Sequence, residues 1–295
     1  MTKSAMITIC GRPNVGKSTL TNALVGEKIA IVSNKPRTTR NRITAIVNRG
    51  DTQFVLMDTP GFHKPRTRLG DYMVNVVRQS VADVDAVVLV VEPVASLGPQ
   101  ERELIASIKA ANCPAVLAIN KLDTVEPEKL LAVIALYSEA YAFNAIVPIS
   151  AKTGDGVEEL LKELDKFAVE SPALFPEGVT TDQPEKQVCA ELIREKLLLN
   201  LEREVPHGTA VEITRFSERD DGIIDLEATI YCEKASHKGI IIGKHGAMLK
   251  KIGEDARKDI EEFMGTKVFL QTWVKVKEKW RDSNSLLRNF GYTDT

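Results

Sequence analysis

The residues best suited to chemistry open near the N-terminus. Gly11, Arg12, Pro13, Asn14, Val15, Gly16, Lys17 and Ser18 satisfy G-x-x-x-x-G-K-[ST], with Thr19 next. Glycines at both ends let the backbone curl so that successive N–H groups point at phosphate oxygens, and a following helix adds its positive end. Lys17 is placed to reach the β- and γ-phosphates of a nucleoside triphosphate, and the Ser18 hydroxyl to ligate Mg2+. A Gly/Pro-rich turn with an incidental lysine would lack the setting found here. Apolar Met6–Cys10 precedes the motif, and helix-like Lys17–Val25 carries it onward.

A phosphate loop does not choose a base. Asn120, Lys121, Leu122 and Asp123 do, directly after apolar Ala115–Ile119. A carboxylate such as Asp123 accepts both edge donors of guanine, whereas adenine turns a lone acceptor toward it. Ser150, Ala151 and Lys152 end the next apolar run, and their backbone N–H groups are placed for the guanine carbonyl. Asp58, Thr59, Pro60 and Gly61 follow Phe54–Met57 and precede Phe62. Asp58 is suited to hold the Mg2+ shell through water, and the Gly61 N–H to meet a γ-phosphate oxygen. In the basic stretch 35–42, either Thr38 or Thr39 is expected to close on Mg2+ with triphosphate bound, Thr39 being slightly favoured.

Each motif follows a short apolar run, and that order implies the scaffold. Met6–Cys10, Phe54–Met57, Ala86–Val91, Ala115–Ile119 and Ala145–Pro148 read as buried strands. Lys17–Val25, Leu69–Val81, Gln100–Ala110, Pro127–Ala142 and Val157–Ala168 read as helices. Such alternation predicts an α/β domain with a mostly parallel sheet and helices on both faces, its ligand lying beyond the strands' C-terminal ends. A Pro- and Gly-bearing stretch marks a linker, giving domains 1–169 and 185–295 around 170–184. The second part reads α-β-β-α-α-β: Glu185–Leu201, a hairpin of Thr209–Phe216 and Ile223–Tyr231, Ser236–Ile242, Ala247–Met264 and Lys267–Val276.

Composition bounds the rest. The chain has 295 residues, 43% of them apolar, and a net charge of −2, so it suits two globular domains and excludes wholesale disorder. Its longest strongly apolar run, near Ala86–Val91, is far short of the roughly 20 residues that cross a bilayer. Met1–Cys10 has no signal-peptide character, and Cys10, Cys113, Cys189 and Cys232 form no C-x-x-C pair, so the expected compartment is the reducing cytoplasm. Lys234–Arg281 holds twelve Lys/Arg against six Asp/Glu, a charge excess that suits a polyanion. Within it, Gly243, Lys244, His245 and Gly246 form G-x-x-G between two helices, the arrangement by which a KH module clamps single-stranded RNA. Ile240, Ile241 and Ile242 are expected to line the groove, and Lys250, Lys251, Lys275 and Lys277 to neighbour the RNA backbone. Trp273 and Trp280 read as core or groove wall, and His63 and His207 as surface or loop residues.

Gly11–Lys152 and the C-terminal organisation together resemble the Era family of bacterial ribosome-assembly GTPases, within the Ras-like P-loop class. The resemblance covers nearly the whole chain. It implies that Asn120 meets the base edge while the Lys121 stem covers its face. It implies GTP and GDP as ligands, a type II KH domain, the 3′ end of 16S rRNA as the RNA, and small-subunit maturation as the role. It carries an expectation of a monomer with peripheral contact to the cell membrane. Where related enzymes place a water-orienting Gln, this chain has Phe62, so unaided hydrolysis should be slow. Asn14 at its loop position implies K+ beside the phosphates. Lys17, Asn14, Asp58 and Gly61 are the expected catalytic set. Two rivals exist: a P-loop small-molecule kinase, disfavoured by Asn120 and Asp123, and an RNA-binding module with a vestigial nucleotide site, disfavoured by intact Lys17, Ser18 and Asp58.

Overall fold

A computed structural model describes residues 2–63, 65, 67–80 and 84–292. Val81, the end of one expected helix, lies outside them. The chain divides into two units, Met1–Ala30 with Thr39–Arg66 and Gly70–Asp182, and Ile31–Thr38 with Thr67–Leu69 and Gln183–Thr295.

In the first unit the elements run β1 (Lys3–Gly11), α1 (Lys17–Val25), β2 (Ile43–Arg49), β3 (Thr52–Asp58), α2 (Arg68–Ser80), β4 (Ala86–Val91), α3 (Pro99–Ala111), β5 (Ala115–Ile119), α4 (Pro127–Ala140), β6 (Ala145–Pro148), α5 (Val157–Asp165) and β7 (Val169–Glu170). The sheet order is β2-β3-β1-β4-β5-β6, with β7 antiparallel on β1. The pairs β3–β1, β1–β4, β4–β5 and β5–β6 are parallel, as strand–helix alternation dictates. β4 and β5 are buried along their whole length because helices cover both faces. One apolar cluster joins Ile7, Ile9, Leu20, Val88 and Leu160; another joins Leu89, Leu104, Ile108, Leu117 and Tyr137.

β2 is an addition to the sequence reading. Ile43–Arg49 pairs antiparallel with β3 and forms one edge of the sheet. Thr181 bridges to Ala45 and the Ile46 N–H donates to the Thr180 carbonyl at 2.8 Å, so residues expected to form a linker cover that edge.

The second unit runs α6 (Glu185–Asn200), β8 (Ala210–Glu218), β9 (Ile224–Cys232), α7 (Ala235–Ile242), α8 (Ala247–Met264), β10 (Val268–Val276) and α9 (Asn284–Asn289). β9 is central, antiparallel to β8 and parallel to β10. Helices α6, α7 and α8 pack against this sheet around Leu192, Leu197, Ile230, Ile241, Ile252 and Ile260. Ile31 joins this same core, and the Val32 N–H donates to Glu195 Oε1 at 2.8 Å. Arg194, fully buried, donates to the Thr38 carbonyl, and Lys35 donates to the carbonyls of Leu198 and Leu201.

β10 obeys the strand period of two, and this corrects one expectation. Even-numbered residues face the helices; Phe269, Gln271, Trp273 and Lys275 face outward. Trp273 is therefore an exposed side chain and not part of the core, whereas Trp280 is fully buried, its Nε1–H donating to the Gly208 carbonyl at 2.9 Å. His63 lies in a loop, as expected, but is buried there, with Nδ1 2.9 Å from the Gly61 carbonyl oxygen.

Candidate nucleotide and nucleic-acid sites

The first site gathers where β1, β3, β5 and β6 end. The phosphate loop leaves β1 at Gly11 and enters α1 at Lys17. Gly16 has φ +97°, and a Cβ there would stand 2.2 Å from Asn120 Nδ2, so any side chain would be strained and would displace the Asn120 amide. That closeness has a purpose. Asn120 Nδ2 donates to the Val15 carbonyl at 2.8 Å, and Asn120 Oδ1 accepts from the Ala151 N–H at 2.9 Å. One buried side chain thus fastens three loops together. Ser150 Oγ donates to Asp123 Oδ1 at 2.7 Å, and the Leu122 N–H donates to the Ile149 carbonyl at 3.1 Å.

Lys17 is buried, its ammonium donating to the carbonyls of Gly11 at 3.3 Å and Arg12 at 2.9 Å. Burial lowers its pKa, and the Asp58 carboxylate partly offsets this. Ser18 Oγ lies 2.7 Å from Thr39 Oγ1 and donates to Asp58 Oδ2 at 2.6 Å. The structure thus brings Thr39 to Ser18, while Thr38 Oγ1 bonds the Lys35 carbonyl at 2.7 Å. Asp58 Oδ1 is buried with no hydrogen-bond partner among the described residues. A hydroxyl pair beside a half-satisfied buried carboxylate is a donor set suited to a hard cation such as Mg2+. Thr59 anchors the next loop, its Oγ1–H donating to the Ile9 carbonyl at 2.8 Å, and the Phe62 N–H donates to the Gly11 carbonyl at 3.1 Å. Phe62 and Val15 are buried apolar side chains, so neither orients a water.

Burial raises the Asp58 pKa from 3.8 to about 6, against the opposing pull of Lys17 and its own hydrogen bonds. The folded, nucleotide-free protein therefore holds this proton more tightly than the unfolded chain does. Its contribution to stability is greatest below pH 4 and is lost as pH rises through 6, by at most about 3 kcal/mol. The expected observation is an Asp58 carboxyl 13C resonance titrating near pH 6 without nucleotide. A midpoint below 4 would contradict the stated cause.

The second site lies between α8 and β10. A cleft of about 360 Å3 is lined by Gly246, Leu249, Lys250, Gly253, Glu254, Arg257, Leu270 and Thr272. Gly243 has φ +71° and ψ 177°, a conformation open essentially to glycine, and a Cβ there would lie 2.7 Å from Met248 Cβ. His245 and Gly246 also have positive φ, so the loop breaks sharply between α7 and α8 and leaves Lys244 and His245 exposed. Of the seven residues expected to line the groove or to neighbour the RNA backbone, Lys250 lines this cleft and the other six do not. Ile241 is fully buried in the core and does not line the cleft, because successive helical residues diverge by about 100°. Ile240 is exposed and Ile242 half-buried. Lys275 sits on the outward sheet face, opposite the cleft; Lys251 and Lys277 are exposed without lining it. Arg257 was not foreseen, though its i, i+4, i+8 spacing from Leu249 and Gly253 on α8 carries that signal.

Comparison with known proteins assigns both units. The chain is 52% identical over 290 residues to the GTPase Era of Ruminiclostridium cellulolyticum, covering 98% of this chain and 97% of that protein. This chain belongs to the GTPase Era family. The GTPase Era of Clostridium kluyveri is 50% identical over 292 residues, covering 99% of this chain and all of that one. A family model described as a 50S ribosome-binding GTPase matches residues 6–121, and a KH-domain model matches 204–281. Among solved structures, an Aquifex aeolicus Era variant bound to GDP and aluminium fluoride superposes with a TM-score of 0.95 at 36% identity over 99% of this chain and 100% of that chain. An Era bound to MgGDPNP and nucleotides 1506–1542 of 16S rRNA superposes with a TM-score of 0.96 at 36% identity over the full length of both. An Era-family chain with this P-loop domain is a GTP hydrolase, and its KH unit is an RNA-binding fold.

Proposed function

We propose that this chain is a GTP-controlled switch that binds single-stranded RNA, the 3′ end of small-subunit rRNA, and so assists maturation of the small ribosomal subunit. The observation that carries the reading is the convergence of Lys17, Ser18, Thr39 and Asp58 in one unit, with Asn120 tied to the phosphate loop and to Ala151, and Asp123 to Ser150. Lys17 binds and neutralises the transferring phosphoryl, Asp123 reads guanine, and Ser18, Thr39 and, through water, Asp58 would hold Mg2+. A bound Mg2+ would offset negative charge on the phosphate oxygens. Phe62 makes unaided hydrolysis slow, which suits a timer. Asn14, the exposed residue of the phosphate loop, is assigned to a K+ site by family likeness; equal hydrolysis rates in K+ and Na+ would overturn that part.

Coupling follows from chain order. Residues 31–38 group with the second unit, Ile31 lying in its core, and the next residue, Thr39, bonds Ser18. A segment reorganised when the γ-phosphate departs is thereby also a part of the RNA-binding unit. The expected result is an affinity for a small-subunit 3′ RNA that differs severalfold between Mg·GTP-analogue and GDP states in fluorescence anisotropy. Identical affinities would reject the switch.

No described helix is long and apolar enough to cross a membrane. We place the protein in the cytoplasm as a monomer, with the exposed Lys244, Lys250 and Lys251 available to anionic membrane headgroups.

A further inference from the structure

β4 lies between β1 and β5, with Val90 opposite Gly11 and Val91 opposite Ile119. Glu92 is therefore the first residue beyond the strand, where the phosphate loop and the base-reading loop depart on either side. Its carboxylate takes one cation from each. Lys121 Nζ is ion-paired to Glu92 Oε1, and Arg12 Nη2 lies 3.5 Å from Glu92 Oε2. Arg12 Nε is in turn paired with Glu101, a carboxylate only 1% exposed. A row of alternating charge thus runs from buried Glu101 through Arg12 and Glu92 to Lys121.

The backbone of the base-reading loop is already fixed. Lys121 has a left-handed φ of +67°, held by its carbonyl accepting from the Thr124 N–H at 2.9 Å and by the neighbouring Leu122–Ile149 bond. Asn120 is held by Val15 and Ala151, and Asp123 by Ser150. Among the polar side chains of this motif, that leaves Lys121, a third exposed, whose four-carbon stem samples many rotamers unless its ammonium is caught.

We propose that Glu92 is a positioning residue for base binding, holding the Lys121 ammonium so that its stem stays across the guanine face. This rests on the proposed seat of guanine at Asn120–Asp123. Because the base is common to both nucleotides, Glu92→Gln should weaken GDP and a GTP analogue equally, by about three- to tenfold at moderate salt. Lys121→Met should weaken both as well. If Glu92 acts through Lys121, adding Glu92→Gln to Lys121→Met should change affinity by less than about twofold.

The test is a double-mutant cycle read by calorimetric titration of GDP and the GTP analogue, with thermal unfolding of each nucleotide-free variant as the fold control. The expected cycle is non-additive at unchanged melting temperature. Affinity unaltered in either single variant, a loss confined to the triphosphate, or an equal Glu92→Gln loss with and without Lys121 would overturn the proposal. If wild type bound no guanine nucleotide, the proposed base seat would fail first. Tight wild-type binding with an additive cycle would sink only the role of Glu92.

Discussion

Lys17→Met should lower single-turnover GTP hydrolysis by at least about a thousandfold. The reason lies in where the ammonium sits. Lys17 is buried at the start of α1, held by the carbonyls of Gly11 and Arg12, within electrostatic reach of Asp58. A fixed cation in a site shielded from water acts on charge that develops on the transferring phosphoryl far more strongly than one in solvent. Methionine matches the stem length and keeps the apolar packing, so the fold should survive. Removing the cation also withdraws the group that most lowers the Asp58 pKa, so that carboxylate should hold its proton to a higher pH. GTP affinity should fall more than GDP affinity, because the lysine is placed for β- and γ-phosphates. Hydrolysis within tenfold of wild type, measured with enzyme in excess, would remove Lys17 from the catalytic set.

The second large effect concerns the loop between α7 and α8. Changing Lys244 and His245 together to Asp puts two anions where RNA phosphates are expected, on a loop whose glycine-dependent backbone is left intact. Affinity for the 3′ RNA should fall at least about a hundredfold near physiological salt, and the log–log salt slope should become shallower by about one for each phosphate no longer neutralised. Both side chains are exposed, so the melting temperature should stay within a few degrees of wild type. Unchanged RNA affinity in a folded variant would move the binding surface away from the G-x-x-G loop. The outward sheet face, where Arg219 lies over the Phe269 ring at 5.3 Å and Trp273 is exposed, would be the place to look next.

Much of this was legible because the strongest signals are local. Lys17–Val25 and Ala247–Met264 begin and end as helices where glycines at residues 16, 26, 246 and 265 bound them. The strands β4 and β5 are short and wholly apolar, and only full burial explains such runs. What escaped depends on tertiary partners. Ile43–Arg49 follows a basic stretch and shows no clean alternation, since residues 180–181 cover it from far along the chain. Reading by segment groups Ile241 and Lys275 with their neighbours, whereas a helix and a strand each divide neighbours between faces. Glu92 carries no motif. Its place comes only from the order of strands, which sets β4 between the two loops it bridges.

The most direct test is a calorimetric titration of the full chain with GTP, GDP and ATP in the presence of Mg2+. Asp123, tied to Ser150, should accept from guanine and meet only a lone acceptor on adenine, so guanine nucleotides are predicted to bind at least about a thousandfold more tightly than ATP. Comparable heats for ATP, or no binding of GTP at millimolar concentration, would contradict the nucleotide site on which the switch depends.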